Sequence, residues 1–264
     1  MVEQKKSKKD IVKNGIIGFF DVLGYGSLLE NNEPEEIYNV IFPVLDNLKN
    51  ETSQEMKVIL KRHGKEINIK PKFQPLIDSI DWIVFSDTIL ITLDTDIYSS
   101  QEKWLCWSIF LTACHYLQKK LFKFGLPLRG AINYGKFCVE KTFFAGRSII
   151  NAYKLCKELE FAGCVLTKNA SEQLNNDIKA INKLFKIDLK YSFTKRYYVP
   201  QKNKEELMDV VSAMVLDLDE NDIHSKILEC FWSHNKNIPI SVHKKVFNTE
   251  KWINFLKIKK NTFK

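Results

Sequence analysis

The stretch Gln101–Phe124 constrains the fold of this chain more than any other. It predicts one long helix that is apolar on most of its faces, so neighbouring elements must cover it on nearly all sides. Strand patterns lie on both sides of it. Asn14–Phe20 is an apolar run of β-branched and aromatic residues, and Leu126–Tyr134 lies between two glycines. The order predicts a helix packed on a sheet in a single α/β (α+β) domain.

The rest of the chain interleaves helical and strand patterns. Two apolar runs separated by Ser86 and Asp87 predict a hairpin with the aspartate at its tip. The predicted elements before the long helix are a short helix at Leu28–Leu29 capped by Ser27, a helix at Glu35–Leu48, a loop or insertion over about 50–75, and the hairpin strands Ile77–Phe85 and Thr88–Leu93. Those after it are a helix at Gly146–Glu160, a strand at Cys164–Leu166, a helix at Ser171–Leu174, and strands at Arg196–Val199 and Val210–Leu216. Two helices are predicted near the end, at Asp222–His234 and His243–Leu256.

Composition bounds the class of protein. With 45% hydrophobic residues and 18 Phe, the chain of 264 residues is neither disordered nor fibrous. We divide it into a basic tail (1–13), a main domain (14–200, with the insertion) and a C-terminal strand and helical extension (201–264). Forty Lys and Arg against 32 Asp and Glu give a net charge of +8, which favours nucleotides, nucleic acid or an acidic membrane surface as partners.

Cysteine and histidine spacing excludes several kinds of site. The six cysteines form no C-x-x-C pair, and together with the lack of a signal peptide they predict a reduced, cytoplasmic protein. The most apolar stretch, Trp104–Leu117, is too short to span a membrane. The five histidines have no zinc-ligand spacing, and no G-x-S-x-G elbow is present.

Two aspartates lie where predicted strands end. Asp21 follows the run Asn14–Phe20, and Asp87 lies at the hairpin tip. In an α/β sheet these two points can fall side by side on neighbouring strands. Two carboxylates there would hold two Mg²⁺ or Mn²⁺ ions, which prefer oxygen ligands and share them with substrate phosphates. From residue types alone, two ordinary turn aspartates are the simpler interpretation.

A glycine-containing loop follows Asp21 and consists of Val22, Leu23, Gly24, Tyr25 and Gly26. Its glycines let backbone N–H groups face a bound anion, so a triphosphate would rest on them and on the following helix N-terminus. The alternative is a plain glycine-rich turn. Neither a Walker loop nor the third glycine of a dinucleotide fingerprint occurs.

Four segments resemble, in order, the motifs of class III nucleotide cyclases. They are the first metal motif at Gly18–Tyr25, the second at Phe85–Asp87, the strand Leu128–Gly135 and the helix that completes the site at Ala145–Ala152. The resemblance covers roughly Asn14–Val199. Phe-x-Asp-x-Leu-Gly, Ser-Asp-Thr and Leu-Arg-Gly-Ala-Ile look most like the pyrimidine cyclases of bacterial Pycsar anti-phage systems.

This resemblance implies a fold and an activity. The expected fold is a class III cyclase-like, ferredoxin or palm-type sheet with covering helices, and 14–200 would be the catalytic domain. The activity would convert UTP or CTP to the 3′,5′-cyclic nucleotide and pyrophosphate, with UTP favoured, as a second messenger in anti-phage defence. Asp21, Asp87 and the Val22 carbonyl would hold two divalent cations, Mn²⁺ or Mg²⁺. A homodimer with active sites at its interface is expected, with no stable nucleic-acid or membrane partner.

The family's base-reading residues are replaced here. Ile83 stands where purine cyclases carry a lysine, four residues before the second metal aspartate. Phe143 stands where they carry an aspartate or its equivalent. An apolar, aromatic pocket edge therefore argues against ordinary adenine or guanine recognition.

The family's transition-state residues match incompletely. Ile150 stands at the position of the asparagine, and Lys154 at that of the arginine. Asn151 is one place from the former, and Arg147 is nearby. Lys154, Asn151 and Arg147 are thus the catalytic candidates toward the α-phosphate, although Ile150 cannot replace the hydrogen bonds of an asparagine.

Several alternatives stay open. Lys195 or Arg196 is a loose match for a triphosphate-binding residue. An adenylate or guanylate cyclase, or a catalytically dead cyclase-fold nucleotide sensor, would share the same motifs. A nucleic-acid-binding protein is a further alternative, because the net charge is positive and the segment Lys57–Lys72 is basic.

Overall fold

A computed structural model describes residues 11–63, 70–100, 102–141, 143–185, 193–213, 215–217, 221–237 and 239–261, so most of the predicted basic tail lies outside the described residues. The described strands are β1 Val12–Val22, β2 Asp81–Phe85, β3 Thr88–Asp94, β4 Leu128–Glu140, β5 Phe143–Ala145, β6 Cys164–Leu166, β7 Thr194–Pro200 and β8 Glu205–Val211. The described helices are α1 Tyr25–Glu30, α2 Pro34–Val40, α3 Phe42–Asp46, α4 Leu48–His63, α5 Lys70–Asp78, α6 Lys103–Lys123, α7 Arg147–Glu158, α8 Lys168–Phe185, α9 Ile223–Trp232 and α10 Ile240–Asn261.

Within the described residues, the eight strands form one mixed sheet in the order β2-β3-β1-β4-β6-β8-β7, with β5 paired to β4. β1 is antiparallel to both of its neighbours, β3 and β4. β4 and β6 are parallel. Because β1 is central, its residues from Gly15 to Val22 are buried. The strand predicted at Asn14–Phe20 is therefore confirmed, and it extends to include Asp21.

Helices cover both faces of the sheet. Side chains alternate across a strand, so Ile16 and Phe20 of β1 join one apolar cluster that includes Trp107 of α6. Ile17 joins the opposite cluster, which includes Trp252 of α10 and part of α7. The predicted α+β architecture, with covering helices and a helical C-terminal end, is confirmed.

The segment 50–75, expected as an irregular loop or insertion, is largely helical instead. α4 and α5 occupy most of it, apart from residues 64–69, which are not described. Leu48, Thr52 and Met56 recur every four residues and are buried. Two of these three residues are apolar, and the polar residues between them obscured the helical period in the sequence.

Other boundaries also differ from the sequence expectation. The helix expected at Glu35–Leu48 is divided into α2 and α3, because Pro43 has no backbone N–H to continue the hydrogen-bond ladder. α1 begins at Tyr25 with Gly24 as its N-cap, so Ser27 lies inside the helix and does not cap it. β4 runs through Gly135 rather than ending there.

The C-terminal part completes the sheet and one of its helical layers. β8 lies between β6 and β7, so the division at residue 200 separates two paired strands. Asn248 of α10 donates its side-chain N–H to the carbonyl of Glu160 at 2.9 Å, and the hydroxyl of Thr249 accepts from the amide of Ala162 at 2.8 Å. No helix in the described ranges combines the length and apolar character needed to cross a bilayer.

Candidate active site

The site is built around Asp21 and Asp87, which meet at one end of the central strands. Asp21 pairs with Thr88 in the register of β1 and β3, and the amide of Val22 donates to the carbonyl of Asp87 at 3.0 Å. Asp21 is only 2% exposed, whereas Asp87 is half-buried at the hairpin turn. The Asp21 carboxylate raises the pKa of Asp87, so the two carboxyl groups lie close enough to form one site.

Two cations divide the oxygens of Asp21 between them. Arg129, opposite Asp21 in the register of β1 and β4, donates from Nε and Nη2 to Oδ2 at 2.8 and 2.7 Å. Lys157, at the end of α7, donates from Nζ to Oδ1. The Nη1 group of Arg129 also donates to the carbonyl of Lys157 at 3.2 Å. Arg129 thereby ties the buried carboxylate to the C-terminal turn of α7.

The pKa of Asp87 is raised. Partial burial is the main cause, and the neighbouring Asp21 carboxylate adds to it, since both effects disfavour a second negative charge. Lys157 acts in the opposite direction and lowers the same pKa. A cation close to both carboxylates therefore favours the ionised form of Asp87.

The donor set fits a hard divalent cation. Carboxylate oxygens are the ligands that Mg²⁺ and Mn²⁺ prefer, and the ammonium group of Lys157 stands beside the pair as a cation. The described residues contain no cluster of three or more His, Cys, Asp or Glu side chains suited to a metal. The protein thus offers two carboxylates, and further ligands would come from water or substrate phosphates.

The glycine loop after Asp21 presents fewer amides to an anion than its sequence suggests. The amides of Val22 and Leu23 donate within the fold, to the carbonyls of Asp87 and Pro127. Gly24 adopts a left-handed conformation with φ 81°, which turns the chain into α1. The amides that remain for an anion are those of Gly24 and of the first turn of α1, including Tyr25 and Gly26.

Lys236, which sequence reasoning did not single out, supports this loop from the C-terminal part. Its Nζ is buried and donates to the carbonyls of Gly125 and, at 3.2 Å, Cys230. Burial lowers its pKa to about 8. A Cβ added at Gly24 would lie 3.2 Å from the Cδ of Lys236, so the side chain packs directly against the loop.

One of the two base-reading positions, Ile83, lines an apolar depression of about 290 Å³. Ile83 and Ile150 both contribute to it, so two positions singled out in the sequence come together. Phe144 lines it rather than Phe143, since alternate residues of β5 point in different directions. Phe143 itself is exposed.

Arg147 and Asn151 lie elsewhere. They line a second cavity of about 570 Å³ at the N-terminal end of α7. Lys157 lies ten residues after Arg147, or roughly 15 Å along the helix at 1.5 Å per residue. Lys154 lies between these ends and is exposed. Within one chain, Arg147 and Asn151 therefore do not meet the aspartate pair.

Lys195 and Arg196 are also distant from the pair within one chain. Both lie on β7, which forms one edge of the sheet, whereas the hairpin of β2 and β3 forms the other edge. The guanidinium of Arg196 is 3.8 Å from the carboxylate of Asp209 on the adjacent strand. A role for either residue at the aspartate pair requires a second subunit.

Arg129 and Lys157 are the site residues that sequence reasoning missed. Arg129 belongs to a quoted motif, but only the register of β1 and β4 shows that it faces Asp21. In the sequence, nothing distinguishes Lys157 from the many other lysines of this chain. No local signal distinguishes it, because its contact depends on how α7 packs over β1.

Neither a protein-family model nor a curated protein matches this sequence. Solved structures do match it, at low identity. One is the dimeric guanylyl cyclase domain of the RhoGC fusion protein from the aquatic fungus Blastocladiella emersonii, which is 11% identical with a TM-score of 0.45 and covers 76% of this chain and 97% of that chain. The guanylate cyclase domain of RhGC from Catenaria anguillulae, in complex with GTP, is 10% identical with a TM-score of 0.42 and the same coverage.

A third similar structure is a class III adenylyl cyclase-like ATP-binding protein from Pseudomonas aeruginosa. It is 15% identical with a TM-score of 0.43, over 67% of this chain and 41% of that chain.

Proposed function

We propose that this chain is a nucleotide cyclase that converts a pyrimidine nucleoside triphosphate, UTP in preference to CTP, to its 3′,5′-cyclic monophosphate and pyrophosphate. The observation that carries this proposal is the proximity of Asp21, near the end of β1, to Asp87, in the turn before the adjacent strand β3, within the sequence context of cyclase metal motifs. The cyclic product would be a second messenger in anti-phage defence, as the resemblance to Pycsar cyclases implies.

The reaction is intramolecular: the ribose 3′-OH attacks the α-phosphate, and pyrophosphate leaves. Two bound Mg²⁺ or Mn²⁺ ions supply charge neutralisation and a lower pKa of the 3′-OH. The chain itself positions the carboxylates, because Arg129 fixes Asp21 in the core. The amides of Gly24–Gly26 face the triphosphate, and the partner subunit's Lys154 supplies positive charge toward the α-phosphate.

The apolar depression argues against ordinary recognition of a purine base. Ile83 and Ile150 replace the polar groups that a cyclase uses for a purine base and its transition state, and Phe144 adds an aromatic wall. A site without these polar groups leaves the hydrogen-bonding edge of a purine unpaired, which is costly. UTP is proposed over CTP because it is the more frequent substrate in the cyclase family that the sequence resembles.

We also propose a homodimer in which each site combines the aspartate pair of one chain with the partner subunit's Lys154. Support comes from exposed apolar residues around the depression, which monomeric proteins rarely cluster. They are Phe85, Phe144, Ile150 and Tyr153. Activity should then fall on dilution below the dimer dissociation constant.

The test is product analysis by mass spectrometry after incubation with ATP, GTP, CTP and UTP and Mn²⁺. We expect a single cyclic pyrimidine nucleotide from the wild-type protein and none from Asp21→Ala or Asp87→Ala. Cyclic AMP or cyclic GMP would contradict the pyrimidine assignment. Turnover that survives both substitutions would contradict the metal-site assignment.

A nucleotide sensor without turnover is the second candidate function. Ile150 favours it, because its side chain cannot donate the hydrogen bonds of the family's asparagine. This candidate predicts nucleotide binding with no product from any of the four triphosphates. The nucleic-acid alternative predicts instead a mobility shift that weakens steeply with salt. Its basic segment includes residues 64–69, which lie outside the described residues.

A further inference from the structure

Lys157 stands where a bound cation would compete with it. Its Nζ contacts Oδ1 of Asp21, while Arg129 holds Oδ2. The Lys157 ammonium is also near enough to Asp87 to favour its ionised form. Two carboxylates and two cations thus balance in charge before any metal binds.

The two cations differ in how easily they can leave. The side chain of Arg129 is 13% exposed and is held a second time, through Nη1, by the carbonyl of Lys157. The side chain of Lys157 is 34% exposed. A lysine has a flexible four-carbon stem, so its ammonium can swing into water without disturbing the helix.

We infer that Lys157 is a resident cation of the aspartate pair, which a divalent metal ion displaces from Oδ1 of Asp21. The inference rests on the metal-binding part of the proposed function. Arg129 stays in place and keeps its contact with Oδ2. Lys157 and the metal ion therefore compete for Oδ1 of Asp21. Lys157 therefore lowers the affinity of the nucleotide-free protein for a metal ion. Metal binding becomes favourable when the phosphates of the substrate provide additional ligands.

The test is Mn²⁺ binding to the full chain without nucleotide, with free Mn²⁺ measured by electron paramagnetic resonance. Lys157→Met removes the ammonium that the metal ion must displace, and an ion pair of unit charges at about 4 Å contributes several kT at an effective dielectric constant near 20. We expect Lys157→Met to tighten the Kd for Mn²⁺ by at least about tenfold. Lys157→Arg, which keeps the cation, should bind like the wild type.

Two controls separate this effect from a general change of charge. Lys168→Met removes one positive charge at a side chain that is 91% exposed on α8, and its Kd should equal that of the wild type. Asp21→Asn combined with Lys157→Met should lose the tightened binding. Circular dichroism of each variant verifies that it is folded.

The opposite results overturn the inference. They are a Kd for Lys157→Met that is unchanged or weaker, an equal tightening in Lys168→Met, or no Mn²⁺ binding by either the wild type or Lys157→Met. Failure of the cyclase proposal is distinguishable from these results. Tightened Mn²⁺ binding without any cyclic product would leave the inference standing and remove the assigned reaction.

Discussion

Arg129 faces Asp21 across β1 and β4, and its Nε lies 2.8 Å from Oδ2 of a carboxylate that is almost wholly buried. The same guanidinium donates from Nη1 to the carbonyl of Lys157 in the last turn of α7. One side chain therefore links the central strand of the sheet to the helix above it. A buried charge is tolerated only where such a partner is present.

Substituting Arg129 should destabilise the fold much more than substituting Lys157. Arg129→Met leaves Asp21 without its buried partner and the end of α7 without a donor, at a cost of about 3 kcal/mol or more in unfolding free energy. Lys157→Met should cost less than about 1 kcal/mol, because a partly exposed ion pair contributes little. Urea denaturation measures both. Equal losses for the two variants would contradict the structural role of Arg129.

Arg129→Lys is the matched variant for this prediction. It keeps the positive charge beside Asp21, but an ammonium group cannot reach both the carboxylate and the carbonyl of Lys157 with the geometry of a planar fork. Its unfolding free energy should fall between those of the wild type and Arg129→Met. A value equal to that of Arg129→Met would mean that charge contributes nothing there.

Lys236 should make stability depend on alkaline pH. Its pKa is lowered to about 8 in the folded protein from an ordinary value of 10.5, because burial disfavours the charged form. Between these values the unfolded chain binds the proton and the folded chain does not, so stability rises with pH. We expect the melting temperature of the wild type to gain on that of Lys236→Met from pH 8 to about 10.5. If the melting temperatures of the two proteins changed equally with pH over this range, the lowered pKa of Lys236 would be contradicted.

The two glycines of the loop after Asp21 should respond in opposite directions to alanine. Gly24 has φ 81°, and an added Cβ would press on Lys236, so Gly24→Ala should cost about 1–2 kcal/mol. Gly26 lies inside α1, and an added Cβ meets nothing within 4 Å. Gly26→Ala should therefore stabilise by about 0.5 kcal/mol through helix propensity. Chemical denaturation checks both, and destabilisation by Gly26→Ala would contradict the open space described there.

In the proposed homodimer, a substitution at the hairpin tip should weaken subunit association. Phe85 is 72% exposed in the single chain, beside the apolar depression. Phe85→Ser should raise the dimer dissociation constant at least about tenfold, since burying a phenylalanine contributes roughly 1.5–3 kcal/mol. Ile240→Ser is the control, because Ile240 is 89% exposed but lies on α10. Sedimentation equilibrium distinguishes them, and a wild-type chain that stays monomeric at all concentrations would exclude this interface.

Local patterns were enough to locate the main elements of the site. The apolar run before Asp21 and the long helix α6 follow from hydrophobic periodicity, which acts over a few residues. The hairpin around Asp87 follows from it too, although the strand predicted at Ile77–Phe85 begins only at Asp81 and Ile77 belongs to α5. The side-by-side position of the two aspartates was a possibility in the sequence. The antiparallel register of β1 and β3 decided it, because that register places Asp21 opposite Thr88.

Tertiary packing decided the rest. The helix α4 was missed because Leu48, Thr52 and Met56 are the buried residues among its described side chains, and their burial depends on what covers them. Arg129 and Lys157 come to Asp21 from 108 and 136 residues further along the chain. The sequence by itself determined which residues could carry the chemistry. Only the tertiary structure decided which charges surround Asp21, because the electrostatic environment of a buried carboxylate is set by neighbours in space rather than in sequence.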